Sequence, residues 1–129
     1  MWLFVFGEDI KMTFETLKLN KEFRRLYGRG KCQVSPFVVT YSARNKSGKT
    51  RIGITTGKKI GNAVCRNRAK RLIVAALHEN LAHIKPGYDF VFVARTRILS
   101  VKSTDIADTF KNQFIEAGIW NDINEENSD

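Results

Sequence analysis

The residues of this 129-residue chain best suited to chemistry lie in one run, GKKIGNAVCRNRAKR at residues 57–71, and the chemistry they suit is phosphate binding. Asn62 can cap a helix whose first backbone N–H groups stay unpaired. Lys58 and Lys59 precede that helix, and Arg66, Asn67, Arg68, Lys70 and Arg71 fill its first turns. Cations at the positive end of a helix dipole are locally unfavourable, and an arriving anion removes the cost, so the placement argues for binding over stability. A merely solvated helix face would carry Glu partners four residues away, and none occur.

A second group is aromatic. Phe23 and Tyr27 stand one helical turn apart, while Phe37 and Tyr41 share one alternation of a β-like run with Val39 between them. Aromatics along a sheet groove stack single-stranded bases at about 1–3 kcal/mol per base. Core packing competes for Phe23, because a short helix must bury something.

Catalytic groups are missing from both sets. Residues 23–78 contain no Asp or Glu and fourteen Lys or Arg, within a chain of net charge +9. That imbalance calls for a polyanionic partner, nucleic acid or a membrane surface. Metal-assisted nucleolysis needs clustered carboxylates, and acid–base nucleolysis needs paired His or Lys groups. His78 and His83 are five residues apart, not the i, i+4 spacing of a helical metal pair, and no nucleotide-binding G-x-x-x-x-G-K-[ST] loop occurs. The protein alone is therefore expected to be non-catalytic and to bind no metal of its own. Cys32 and Cys65 are too few and too far apart for a metal knuckle, and free thiols in a reducing cytoplasm are expected.

The elements that must position these groups read as follows. Asn20 is expected to cap a short helix through KEFRRLYGRG, stopped by Gly28 and Gly30. A strand follows at residues 36–44, with a further short one over 31–35 set off by Pro36. KSGK at residues 46–49 predicts a hairpin turn that returns residues 50–56 as the antiparallel partner. A long helix over about residues 62–84 buries Cys65, Ala69, Leu72, Ile73, Ala76 and Leu77, which turns Asn67, Lys70 and Arg71 outward and sets Arg66 and Arg68 on the flanks. YDFVFVAR at residues 88–95 is a central strand, and a last helix over 102–117 packs through Ile106, Phe110, Phe114 and Ile115. The expected class is α+β, an α/β sandwich: one mostly antiparallel sheet of about four strands with three helices, in the order α-β-β-(β)-α-β-α. Residues 13–120 are expected to form its single domain, the RNA-binding one if the polyanionic partner is RNA. Residues 1–12 are expected to be a disordered extension or an upstream start, and residues 121–129, with four acids and no Lys or Arg, an acidic disordered tail. The apolar patch near Met1 is too short to span a membrane.

Three segments, KLNKEFRRLYGRGK, RIGITTGKKIGNAVCRNRAKRLI and GYDFVFVAR, together resemble the bacterial ribonuclease P protein component, whose hallmark is the RNR motif, here Arg66-Asn67-Arg68. The resemblance extends over about residues 13–119. It implies a sandwich with a left-handed βαβ crossover, against the usual hand. The same resemblance implies that a catalytic RNA removes the 5′ leader of precursor tRNA with bound Mg²⁺, while the protein helps to hold leader and metal. By position, Lys58, Lys59, Asn62, Arg66, Asn67, Arg68, Lys70 and Arg71 would meet the catalytic RNA. Phe23, Tyr27 and Tyr41, with Phe37 and Val39, would line the leader cleft. The sequence departs from the family pattern at Val74, where Arg is frequent, which implies a lost RNA contact. A ribosome-associated RNA-binding protein is the competing reading, since basic sandwiches of this kind also serve there.

Overall fold

The structure, a computed structural model, describes residues 15–17 and 19–122. The expectations for the N-terminal extension and for the tail beyond Asp122 lie outside those residues. In chain order the elements are β1 (Glu15–Thr16), α1 (Asn20–Arg29), β2 (Lys31–Val34), β3 (Val38–Arg44), β4 (Arg51–Thr55), α2 (Ala63–Asn80), β5 (Tyr88–Ala94) and α3 (Ser103–Glu116). Short 3-10 turns occupy Lys58–Ile60, Leu81–His83 and Thr96–Ser100.

The five strands form one sheet in the order β1-β4-β5-β3-β2. β5 runs antiparallel to β3 and parallel to β4, so β4–α2–β5 is a parallel crossover unit. β1 joins β4 in parallel, and β2 joins β3 antiparallel. Two of these four pairings are antiparallel and two parallel, which makes the sheet mixed, not mostly antiparallel. Residues 51–55 are also not the hairpin partner of 38–44, because β5 stands between them. Its burial explains the insertion: Asp89, Phe90, Val91 and Phe92 are at most 1% exposed, and only a central position covers both faces and both edges of such a run. The turn at residues 45–49 is nonetheless well built, with Asn45 Oδ1 accepting from the N–H groups of Ser47 and Gly48 and with Gly48 at φ +75°.

One face of the sheet carries the main core. Val38, Ile52, Ile54, Phe90 and Phe92 meet Ile73, Ala76 and Leu77 of α2 and Ile106, Phe110 and Phe114 of α3. α3 is tied to β3 by Thr40 Oγ1 donating to Gln113 Oε1 at 2.7 Å, and α2 is tied to α3 by Asn80 Nδ2 donating to the Ala107 carbonyl at 2.9 Å. The opposite face carries a smaller core of Leu17, Leu26 and Val91 under α1.

Several local expectations need correction. Leu19, not Asn20, caps α1, and its N–H donates to Glu22 Oε1. α2 ends at Asn80, short of residue 84. Ile115 is 49% exposed and takes no part in the core. Lys70 is 7% and Val74 6% exposed, because α3 and the 96–100 turn cover more of α2 than one heptad-like stripe. Past α3, Asn121 exchanges hydrogen bonds with the backbone and ring of His83, which stacks on Trp120 at 4.3 Å.

Candidate nucleic-acid interface

Cross-strand registers arrange the α1 face of the sheet in three rows. Ala43, Asp89, Arg51 and Glu15 form the first, Cys32, Tyr41, Val91 and Gly53 the second, and Val34, Val39, Val93 and Thr55 the third. α1 lies over the first two. Phe23 sits on Gly53, where a methyl group would come within 2.6 Å of its ring, and Tyr27 meets Tyr41 edge-on with centroids 5.0 Å apart. The third row is left uncovered by α1, with Val39, Val93 and Thr55 half-buried and Val34 65% exposed. An open floor thus lies beside an aromatic wall of Phe23, Tyr27 and Tyr41. The Tyr41 hydroxyl is pushed above its ordinary pKa by burial and then by the neighbouring Cys32, so it stays protonated and can donate at neutral pH.

α1 is clamped from below by Asp89, which is fully buried. Arg51 donates to its two oxygens from Nε at 2.8 Å and Nη2 at 2.7 Å, Asn45 adds a bond at 2.7 Å, and Arg25 of α1 adds another. Arg51 also reaches Glu22 of α1 at 2.8 Å. Burial raises the Asp89 pKa, but the Arg51 and Asn45 hydrogen bonds and the Arg51 and Arg25 charges outweigh it, leaving the carboxyl below its usual range.

Beyond Thr55 the chain leaves the open row and enters the basic segment. Lys58 and Lys59 are exposed on a 3-10 turn, and Gly61 follows at φ +136°, a conformation that favours glycine. Asn62 caps α2 by accepting from the Cys65 N–H at 3.0 Å. Arg66 curls back, donating from Nη1 to the Gly61 carbonyl at 2.8 Å, while Asn67, Arg68 and Arg71 are exposed. The Lys70 ammonium is made more acidic than usual by burial first and by the Arg66 charge second.

The family model for ribonuclease P matches residues 12–118. The chain belongs to the ribonuclease P protein family. It is 42% identical over 97 residues to the ribonuclease P protein component of Clostridioides difficile, covering 74% of this chain and 85% of that one. The counterpart from Clostridium acetobutylicum is 41% identical over 105 residues, covering 80% and 88%. Among solved structures, the Staphylococcus aureus RNase P protein superposes with a TM-score of 0.71 at 30% identity, covering 82% of this chain and 97% of that one. The Thermotoga maritima protein gives 0.68 at 25% identity, covering 77% and 94%. Membership of the ribonuclease P protein family makes the chain a component of a tRNA-processing ribonucleoprotein endoribonuclease and implies the ribonuclease P RNA as its partner.

Within this ribonuclease P family fold, Phe23, Tyr27 and Tyr41 come together, and Val39 shares their face. Phe37 does not join them: it packs against the main core on the other side. The eight basic-segment positions lie along the 58–60 turn, the Asn62 cap and the N-terminal half of α2, but Lys70 is buried where an outward side chain was expected. Three cations of the acid-free stretch are neutralised through space: Arg25 and Arg51 by Asp89 and Glu22, and Lys49 by Glu15 at 3.1 Å. Val74 lies in the core, so the residue change there removes no exposed cation. Thr55, Val93 and Val34 complete the floor and were not anticipated, although each sits at the period-2 position that shares a face with Gly53, Val91 or Cys32. Among the described residues no three His, Cys, Asp or Glu side chains gather in one place. No described helix is long and apolar enough to cross a membrane.

Proposed function

We propose that this chain holds two RNA elements at once: the catalytic RNA along Lys58–Arg71, and the single-stranded 5′ leader of precursor tRNA on the open row beside Phe23, Tyr27 and Tyr41. The observation that carries the reading is the adjacency of the two surfaces. Thr55 ends the uncovered row, and three residues later Lys58 opens the basic segment. Leader bases stack on the tyrosines and slide over apolar Val39 and Val93, while phosphates are met by Arg68, Arg71 and the lysines. The catalytic RNA carries out the cleavage and holds the Mg²⁺, and the isolated protein is inert. The assembly works in the cytoplasm.

Binding favours precursor over mature product because only the precursor has a leader to fill the cleft. The test is reconstitution with ribonuclease P RNA at low Mg²⁺, using precursors with a full leader and with a leader trimmed to one nucleotide. The protein should accelerate cleavage of the first far more than the second. Equal benefit for both would remove the cleft assignment, and no benefit for either would favour a ribosome-associated role.

A further inference from the structure

α1 divides its face of the sheet, and the side away from the aromatic cleft holds an open concavity of about 410 Å³ that the proposed function does not use. Five of its lining residues are cations: Lys21 and Arg25 from α1, Arg44 and Arg51 from β3 and β4, and Lys46 from the turn between them. The carboxylates at hand are Glu22 on the wall and Asp89 beneath, and both are engaged. Asp89 accepts from Arg51, Asn45 and Arg25, and Glu22 accepts from Arg51 and from the Leu19 N–H. Structural pairing thus accounts for Arg25 and Arg51, which the buried carboxylate fixes from behind with part of each side chain still exposed. It leaves out Lys21, Arg44 and Lys46, which are exposed and have no ion pair among the described residues.

Arg44 also stands over the Tyr88 ring, its Cζ 6.0 Å from the centroid, but Lys21 and Lys46 line the same concavity without an ion pair among the described residues, so the cluster carries more positive charge than the fold needs. The arrangement suits a charge-dense anion reached by lysines at the rim and by planar guanidiniums at the floor. We propose that this concavity is a second phosphate-binding site, for the sugar-phosphate backbone of an RNA strand. It rests on the RNA-binding role argued above but uses different residues on the opposite side of α1. The strand comes either from the catalytic RNA or from leader nucleotides that have crossed α1.

The experiment compares the wild-type chain with a Lys21→Glu, Lys46→Glu double variant and with Arg44→Ala, running Arg68→Ala alongside. Equilibrium binding of the ribonuclease P RNA, and of short- and long-leader precursors to the reconstituted complex, is followed against salt. If the catalytic RNA supplies the phosphates, the double variant binds it roughly tenfold more weakly, and the log–log salt slope falls by about 0.7–0.9 per lost contact. If the leader supplies them, catalytic RNA binds normally and the advantage of the long leader disappears. Arg44→Ala shifts the same quantity in the same direction, which guards against a misfolded double variant. Unchanged binding and slopes in both variants overturn the second site; if Arg68→Ala still weakens binding, the main proposal stands. If Arg68→Ala has no effect while the pocket variants do, the pocket survives and the basic-segment assignment falls. A wild-type chain that binds neither RNA overturns both.

Discussion

Phe23 brings the edge of its ring so close to Gly53 that a Cβ at that glycine would lie 2.6 Å from its ring Cζ and 2.8 Å from Cε2. The missing side chain on β4 is what lets α1 approach the sheet, and it fixes the near wall of the cleft. Gly53→Ala should therefore push the ring aside and lower stability by about 1–3 kcal/mol, the usual cost of overpacking. Phe23→Leu in the same chain should recover part of that loss. Urea unfolding of the two variants checks it, and additive destabilisation would show that the two residues do not share a contact.

Acid should loosen α1 through Asp89. Its folded-state pKa is depressed, so the unfolded chain binds the proton more readily. The stabilisation is complete above the ordinary carboxylate value of about 3.9 and is lost as pH falls through the lower folded value. Asp89→Asn should flatten the acid limb of the stability curve. At neutral pH it should cost up to the roughly 3–5 kcal/mol of a broken buried pair, less the relief that solvent gives the partly exposed Arg25 and Arg51. Thermal melts across pH 2–7, with about pH 7 as reference, measure both effects.

Much of this was legible in the sequence for a physical reason: caps, stops and apolar period are local. Asn62 capping α2 and the buried face of Ala69, Ile73, Ala76 and Leu77 both follow from neighbours within a few turns. Strand order is not local. Nothing in TRIGITT says that β5 will separate it from β3, and so the joining of Val39 to Val93 and Thr55 in one row had no sequence signature. The same limit hid the partner of Arg51, since Asp89 lies 38 residues away. β1, two residues long, is too short for any period to register.

The tyrosines should matter to the leader alone. Tyr27→Ala and Tyr41→Ala each remove one stacking surface, worth about 1–3 kcal/mol per base. Affinity for leader-bearing precursor should drop, while affinity for leaderless tRNA and for the catalytic RNA should not. Phe37→Leu, on the other face, should change stability and leave leader discrimination intact. Loss of discrimination in the Phe37 variant, with none in Tyr27→Ala, would reverse the assignment of the cleft.

Arg66 and Arg68 should separate by mechanism. Arg68 is exposed, so Arg68→Ala should weaken RNA binding, lower the salt slope by about 0.7–0.9 and leave the melting temperature unchanged. Arg66 is half-buried and bonded to the Gly61 carbonyl, so Arg66→Ala should weaken binding and also lower stability by about 0.5–1.5 kcal/mol. Melting curves and filter binding on the same preparations distinguish the two.

Lys70 offers the sharpest conflict between folding and function. Burial and the Arg66 charge lower its pKa, so at neutral pH its charged form subtracts from stability, and the loss is recovered as pH rises through the lowered folded value. A phosphate beside it would favour the charged form and raise that pKa again. RNA binding should then take up protons in the alkaline range, with affinity falling as pH passes the free protein's Lys70 value. Lys70→Met keeps the packed stem and drops the charge. It should melt a few degrees higher than wild type, bind RNA more weakly with a shallower salt slope, and lose that alkaline dependence. If it bound RNA as wild type does at every pH, Lys70 would be a packing residue whose charge the RNA never meets.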